Sequence, residues 1–295
     1  METWIYFILL AATMQAVRTA GQKHLSGYLN AMATTGVRYL YALPFAWCYF
    51  FWLLDYRDGT VPELNVPFLQ AALSAGVLQI IATVCFVAAF RYRNFAVTTT
   101  LVKTEAIQVA IVGSIFFAAP LSFLGWISVI LGVVGVVVVS RVRLTYKDIF
   151  QNPGAGFALA AGLGLAVTTL LIREASLSLH TDLMISAAVT LVFMISVQSV
   201  ISVVYLYIQD KSQLTLMITH WRLCLFVGVT SVLGSIGWFT GASYQNVAYT
   251  KALGQIEFFI TLLLTYRVFK ERITHVEFLG MFLIIFSVII LLLWA

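Results

Sequence analysis

Residues 92–105 read YRNFAVTTTLVKTE, and residues 244–257 read YQNVAYTKALGQIE. The shared residues all lie at an offset of 152 (244 − 92): Tyr92, Asn94, Ala96, Thr98, Leu101 and Glu105 recur as Tyr244, Asn246, Ala248, Thr250, Leu253 and Glu257. A 295-residue chain that repeats itself at about half its length is predicted to contain two copies of one unit. We place these copies at residues 1–148 and 149–295, which together form one domain.

The composition is that of a membrane protein. Hydrophobic residues make up 61% of the chain, charged residues only 10%, and the mean hydropathy is +0.98. Soluble domains carry about 25% charged residues, and each apolar run is close to the ~20 residues that a membrane-spanning helix needs. A β-barrel would alternate apolar and polar residues, which Val133–Val139 and Met281–Leu293 do not. We therefore predict an all-α integral membrane protein with about ten transmembrane helices. The predicted spans are Thr3–Thr19, Ala31–Leu54, Phe68–Phe90, Ala96–Phe117, Leu121–Val139, Gly156–Ile172, Leu183–Ile208, Leu223–Ser243, Tyr249–Phe269 and Val276–Trp294.

Loop charges predict that the two five-helix repeats are inverted. The loop after the third helix carries Arg91 and Arg93, whereas its counterpart in the second copy is uncharged. One loop later the bias reverses, because Ala118-Ala119-Pro120 corresponds to Lys270-Glu271-Arg272. Cationic loops stay in the cytoplasm, so we expect both termini on the non-cytoplasmic side of a bacterial inner (plasma) membrane. The net charge of +5 is then a topology signal, and no nucleic-acid partner is expected.

Two carboxylates are predicted to lie deep in the membrane. Glu105 lies about ten residues into its helix, ~15 Å along it, and Glu257 is its counterpart. An ionised carboxylate there costs several kcal/mol unless it is paired, hydrated or protonated. Helical spacing places Thr98 and Gln108 on the face of Glu105. We expect these residues to face a cavity, where the carboxylates contact a solute amine, carry a coupling proton, or both; the alternative is that they brace neighbouring helices.

Lys103 is a further charge deep in a predicted span. It lies two residues from Glu105, about 200° around the helix, so the two side chains are not expected to pair directly. Lys103 is predicted either to bind a carboxylate or phosphate of a solute or to extend its long stem towards the interface.

Polar residues on other helices are further candidates for the cavity. Gln15 and Arg18 belong to a polar stripe on the first helix, which lipid would exclude. Arg18 could instead reach the interface from its helix end. Gln79 is a candidate hydrogen-bonding group of the cavity or a contact between helices, and Trp238 either lines the cavity or packs in the core.

Gly237 and Gly241 lie four residues apart on the eighth predicted helix. Small residues at this spacing let two helix backbones approach closely. We therefore predict that they form a helix-packing face.

The sequence contains none of the signatures of the common catalytic sites. There is no His-Glu-x-x-His, no Gly-x-Ser-x-Gly and no phosphate-binding glycine loop ending in Lys-Ser/Thr. We predict that the protein is not an enzyme, binds no cofactor or metal, and is not driven by ATP.

Several short motifs resemble the drug/metabolite transporter superfamily, most closely its EamA-like, ten-helix members. They are Arg38 within Gly36-Val37-Arg38-Tyr39-Leu40, the Asn246-Val247-Ala248 start of the ninth helix, Phe269-Lys270-Glu271-Arg272-Ile273-Thr274, and Leu279-Gly280. The resemblance covers nearly the whole chain. It implies export or exchange of small solutes from a central cavity.

Taken together, these features predict a secondary active transporter, an exporter or exchanger, for a small polar metabolite. An amino acid or another amine-containing solute suits the carboxylates, carried by alternating access around a midplane cavity. A phosphorylated or anionic metabolite is the alternative if Lys103 and Arg18 face the cavity. A non-transporting receptor or assembly protein is the alternative from another class. The expected partners are the solute, the lipid bilayer, and protons or a counter-substrate, with the protein a monomer or homodimer.

Overall fold

The structure, a computed structural model, describes residues 2–89, 95–140, 153–260 and 275–294. Every regular element in these ranges is a helix. The predicted repeat boundary at residues 148 and 149, the loop cations around residues 91–93 and 270–272, and the Phe269–Thr274 motif lie outside the described residues. The helices are α1 (Thr3–Leu25), α2 (Ala31–Leu40), α3 (Leu43–Tyr56), α4 (Val66–Ala89), α5 (Phe95–Val102), α6 (Glu105–Phe116), α7 (Phe123–Val139), α8 (Pro153–Ser178), α9 (Leu183–Gln209), α10 (Ser212–Thr219), α11 (Trp221–Tyr244), α12 (Val247–Gly254) and α13 (His275–Trp294).

The helical, membrane-spanning part of the predicted fold class is confirmed, whereas the number ten stays a prediction. Within the described ranges, six helical stretches are long and apolar enough to cross a membrane, and α7 is a shorter apolar helix. The six are Ala31–Tyr56, Val66–Ala89, Gly154–Ser178, Leu183–Gln209, Trp221–Tyr244 and His275–Leu293. The short helix α10 was not predicted, because its eight residues fall between two apolar runs.

The duplication is visible in where helices begin. The first residues of α2 and α9, Ala31 and Leu183, are 152 positions apart (183 − 31), the same offset as that of the repeated sequence. The caps correspond as well: the Asn30 side chain accepts a hydrogen bond from the backbone N–H of Ala33, and Asp182 accepts from Met184 and Ile185. Such caps satisfy backbone donors that the first helical turn leaves unpaired.

The chain forms two compact units, and each combines segments from both halves of the sequence. The first compact unit contains Met1–Ile80 and Leu171–Tyr244, and the second contains Ile81–Leu170 and Gln245–Ala295. The compact units therefore differ from the sequence copies 1–148 and 149–295, which stay a prediction about the duplicated sequence. Neither half of the sequence supplies a complete compact unit by itself.

In the first compact unit, α1 packs closely against α11. A Cβ atom at Gly237 would overlap the carbonyl oxygen of Phe7 and lie 2.8 Å from the Cβ of Ala11, and one at Gly241 would overlap the Ile8 side chain. Real Cβ atoms do not approach other atoms so closely. The predicted packing role of these two glycines is confirmed.

In the second compact unit, α7 packs against α13 through small residues and a reciprocal hydroxyl pair. The Ser128 hydroxyl donates to the carbonyl oxygen of Ser287 at 2.9 Å, and the Ser287 hydroxyl donates to the carbonyl oxygen of Ser128 at 2.8 Å. Both serines are fully buried. A Cβ atom on Gly135 would lie 2.8 Å from the Ile284 side chain, so the two backbones are in close contact.

Candidate functional site

The repeated stretches that opened the sequence analysis each contain a break in a helix. The predicted single helix over residues 96–117 is wrong in this respect, because α5 ends at Val102 and α6 begins at Glu105. Likewise α12 ends at Gly254, and residues 256–260 resume the helix. The two breaks occupy equivalent positions of the repeat. Helices interrupted at matching places in two repeats are a recurrent construction of transporter binding sites.

The breaks are tightened turns of helix, and no proline causes them. Thr104 has φ −63° and ψ −9°, and Gln255 has φ −63° and ψ −14°, both still in the right-handed helical region. The backbone N–H of Ala106 bonds the carbonyl of Lys103 at 3.4 Å, and its counterpart Phe258 bonds Gln255 at 3.0 Å. These bonds span three residues, as in a 3₁₀ helix, and such short stretches inside an α-helix often mark a hinge or a functional site.

Two crossed ion pairs lie beside these breaks, within the second compact unit. The Lys103 ammonium contacts the Glu257 carboxylate, and the Lys251 ammonium contacts the Glu105 carboxylate. The two glutamates are equivalent in the repeat, but the lysines are not. Each pair joins one half of the sequence to the other. The prediction that Lys103 does not pair with Glu105 agrees with this geometry, since its partner is on the other broken helix.

The ion pairs are largely enclosed by protein. Side-chain exposure is 20% for Lys103, 9% for Glu257, 13% for Lys251 and 11% for Glu105. The phenyl ring of Phe258 also approaches the Lys103 ammonium, at 5.8 Å from the ring centre. Removing such charges from water is costly unless each has a counter-charge. With two ammonium and two carboxylate groups, the cluster carries no net formal charge.

Gln108 and Thr98 lie on the same interrupted helix as Glu105. The Gln108 side-chain amide donates to the Thr104 hydroxyl at 3.3 Å and more weakly to the carbonyl oxygen of Leu159 at 3.5 Å. Gln108 therefore connects the break to α8. Thr98 is buried, and its hydroxyl has no hydrogen-bond partner among the described residues.

The remaining predicted site residues lie in the first compact unit. The indole N–H of Trp238 donates to the side-chain oxygen of Gln15 at 2.8 Å, so these two residues link α11 to α1. Gln79 accepts a hydrogen bond from the Gln198 amide at 2.8 Å. Arg18 is only 8% exposed, so protein encloses most of its side chain.

A small cavity lies in the first compact unit between α2, α4, α9 and α11. It has space for about one water molecule. Its lining is formed by Arg38, Tyr39, Gln79, Leu191, Ile195, Gln198, Ser231, Ser235 and Phe239. Gln79 and Ser231 are equivalent positions of the repeat, so each copy contributes the same position to this cavity.

Sequence reasoning did not place Lys251 in the site, and it named Arg38 only as part of a motif. Lys251 was missed because it lies near the start of its predicted span, where an exposed position is the usual expectation. One signal could have found it: two deep carboxylates and a single deep lysine leave one negative charge without a counter-charge. Arg38 lies eight residues into α2, a depth that marks it as clearly as that of Lys103.

The chain is similar to known proteins in family and in fold. The model of the EamA-like transporter family matches the chain twice, over residues 2–141 and residues 152–293. A crystal structure of another protein superposes with a TM-score of 0.75, covering 99% of this chain and 97% of that chain at 13% sequence identity, which shows a similar fold. No curated protein matched the sequence.

Proposed function

The chain belongs to the EamA-like transporter family, and we propose that it is a secondary active transporter of a small zwitterionic solute, such as an amino acid. The family is one of membrane transporters for small solutes, and the apolar helices are those of an integral multi-pass membrane protein. The finer assignment rests on one observation, the pair of crossed ion pairs in the second compact unit.

The balance of charge in the cluster favours a solute that carries both signs of charge. The ammonium of a zwitterion can replace a lysine on Glu105 or Glu257, and the displaced lysine can then bind the carboxylate of the solute. Each charge of the opened pair and of the solute then has an opposite charge beside it, so no charge is left unpaired in a weakly polar surrounding. A solute with a phosphate alone would have to compete with a glutamate for a lysine and leave that glutamate without its counter-charge.

The two interrupted helices suggest how binding and alternating access are coupled. An ion pair between Lys103 and Glu257 holds two broken helices together, and so does the pair between Lys251 and Glu105. A solute that opens one pair releases one of these connections, and the 3₁₀ turns provide a place where each helix can bend. A proton or a second solute molecule is the proposed counter-ligand that restores the pair on the return step.

A transport panel with purified protein in liposomes tests the proposal. The panel contains amino acids, matched amines without the carboxylate, and matched carboxylates without the amine. We expect uptake or exchange of the zwitterions and little movement of either truncated set. Glu105→Gln should reduce transport about tenfold to hundredfold, since a hydrogen bond to a charged group contributes about 1.5–3 kcal/mol.

The matched control is Glu63→Gln, because Glu63 is exposed in the connection between α3 and α4. This variant should transport as well as the wild type. The proposal fails if no zwitterion moves, or if Glu105→Gln and Glu63→Gln are equally active.

We also propose that the cationic loops face the cytoplasm and both termini face the opposite side. The support is the exchange of charge between equivalent loops of the two sequence copies.

A further inference from the structure

We propose that the small cavity of the first compact unit binds a single small anion, either a halide ion or one end of a carboxylate. The residues that line this cavity all belong to the first compact unit, whereas the crossed ion pairs belong to the second. It does not depend on the identity of the transported solute.

Two residues that line the cavity have buried hydroxyl groups without a hydrogen-bond partner among the described residues. Tyr39 is 3% exposed and Ser231 is 2% exposed, and neither hydroxyl has a hydrogen-bond partner among the described residues. A buried donor without a partner costs about 1–3 kcal/mol. Tyr39 and Ser231 both line this cavity, so one acceptor bound between α2 and α11 would serve both hydroxyls in our proposal.

The charge of the wall favours an anion over other acceptors. Arg38 supplies a permanent positive charge, and none of the described residues that line the cavity is acidic. This contrasts with the cluster around Glu105, where positive and negative groups are equal in number. A positive charge in a weakly polar interior attracts a small anion more strongly than it would in water.

The size and rigidity of the cavity limit the ligand to one small group. There is space for about one water molecule, too little for a phosphate or sulfate group. The Gln198 amide nitrogen already donates to the carbonyl oxygen of Gly76 at 3.1 Å and to Gln79 at 2.8 Å. These two hydrogen bonds fix one wall of the cavity, between α4 and α9.

Thermal unfolding of the purified protein in detergent tests for the site. The protein is first placed in sodium methanesulfonate. This anion is then replaced stepwise by chloride, bromide or acetate at constant ionic strength. Methanesulfonate is too large for the cavity and so controls for ionic strength. We expect the small anions to raise the melting temperature by about 2–4 °C near saturation. A shift with halides and acetate indicates a general small-anion site, whereas a shift with acetate alone identifies a carboxylate site.

Variants that remove one hydroxyl group test whether the anion-dependent rise in melting temperature comes from this cavity. With Tyr39→Phe or Ser231→Ala, we expect that about tenfold more anion is needed for the same rise in melting temperature. Each should also leave the anion-free protein as stable as the wild type or more so, because a buried donor without a partner is gone. The matched control is Ser202→Ala on α9, which removes a buried hydroxyl that also lacks a partner among the described residues but lies outside the cavity wall. It should keep the full shift.

The proposal is overturned if the wild type shows no difference between the small anions and methanesulfonate, in which case the cavity holds only water. It is equally overturned if Tyr39→Phe and Ser231→Ala keep the wild-type response. Should either variant fail to fold, the salt comparison on the wild-type protein still decides.

Discussion

At the scale of single residues, each deep carboxylate depends on a lysine from the other half of the sequence. Lys251→Met leaves Glu105 enclosed without its ammonium partner. We expect a loss of about 3 kcal/mol in the free energy of unfolding, the usual cost of breaking a buried ion pair from one side. Adding Glu105→Gln should recover much of this loss, because the remaining carboxylate is then neutral. Thermal unfolding of the two single variants and the double variant measures the coupling.

The control for this cycle is Lys211→Met, which changes an exposed lysine next to α10 and should leave the melting temperature unchanged. Equal and additive effects of Lys251→Met and Glu105→Gln would mean that the pair contributes nothing to stability.

The sequence was enough to find three of the four charged residues of the site but not to pair them. Glu105, Glu257 and Lys103 stand out because each interrupts an apolar run, and lipid makes such a charge costly. Their partners are set by which helices cross, and Lys103 lies 154 residues from Glu257. Periodicity along one helix contains no information about that crossing. The same limit explains why Arg38 and Tyr39 were not recognised as neighbours of Gln79.

At the scale of helices, the contact between α1 and α11 depends on glycine at residues 237 and 241. Gly237→Ala should destabilise the protein by about 1–3 kcal/mol, because the added methyl group has to push against the Phe7 backbone. Gly234→Ala is a matched control on the same helix, where the new Cβ atom would lie 3.5 Å from the nearest atom, an ordinary contact. It should be neutral or slightly stabilising. If both variants lower the melting temperature equally, general helix effects explain the loss.

Helix positions were predicted well, whereas helix interruptions were not. Apolar runs and caps such as Asn30 mark where helices begin, because an unpaired backbone donor at a helix start needs an acceptor. The breaks after Val102 and Gly254 have no proline, and their backbones stay in the helical region. They arise from a change of hydrogen-bond spacing, which depends on tertiary packing rather than on the residue types alone.

At the scale of the whole molecule, the proposed orientation makes a direct prediction. A phosphatase reporter, active only outside the cytoplasm, should be active when fused after Ala295 and inactive when inserted between Asp210 and Lys211. A fluorescent reporter that matures only in the cytoplasm should give the opposite pattern. The loop insertion is the internal control, because residues 210 and 211 lie on the face predicted to be cytoplasmic. A fluorescent fusion after Ala295 would contradict the proposed topology.

Because each compact unit combines distant segments of the chain, some helices are synthesised long before the helices that they pack against. The hydrogen bond from Trp238 to Gln15 spans 223 residues, so α1 is made long before its partner α11 exists. At 5–20 residues per second, the wait is roughly 10–45 s. Throughout that interval, the surface of α1 that contacts Gly237 and Gly241 in the folded protein lacks this partner helix. The newborn chain is then most open to capture by a membrane chaperone or protease, and a pause in translation within residues 26–220 would lengthen that exposure.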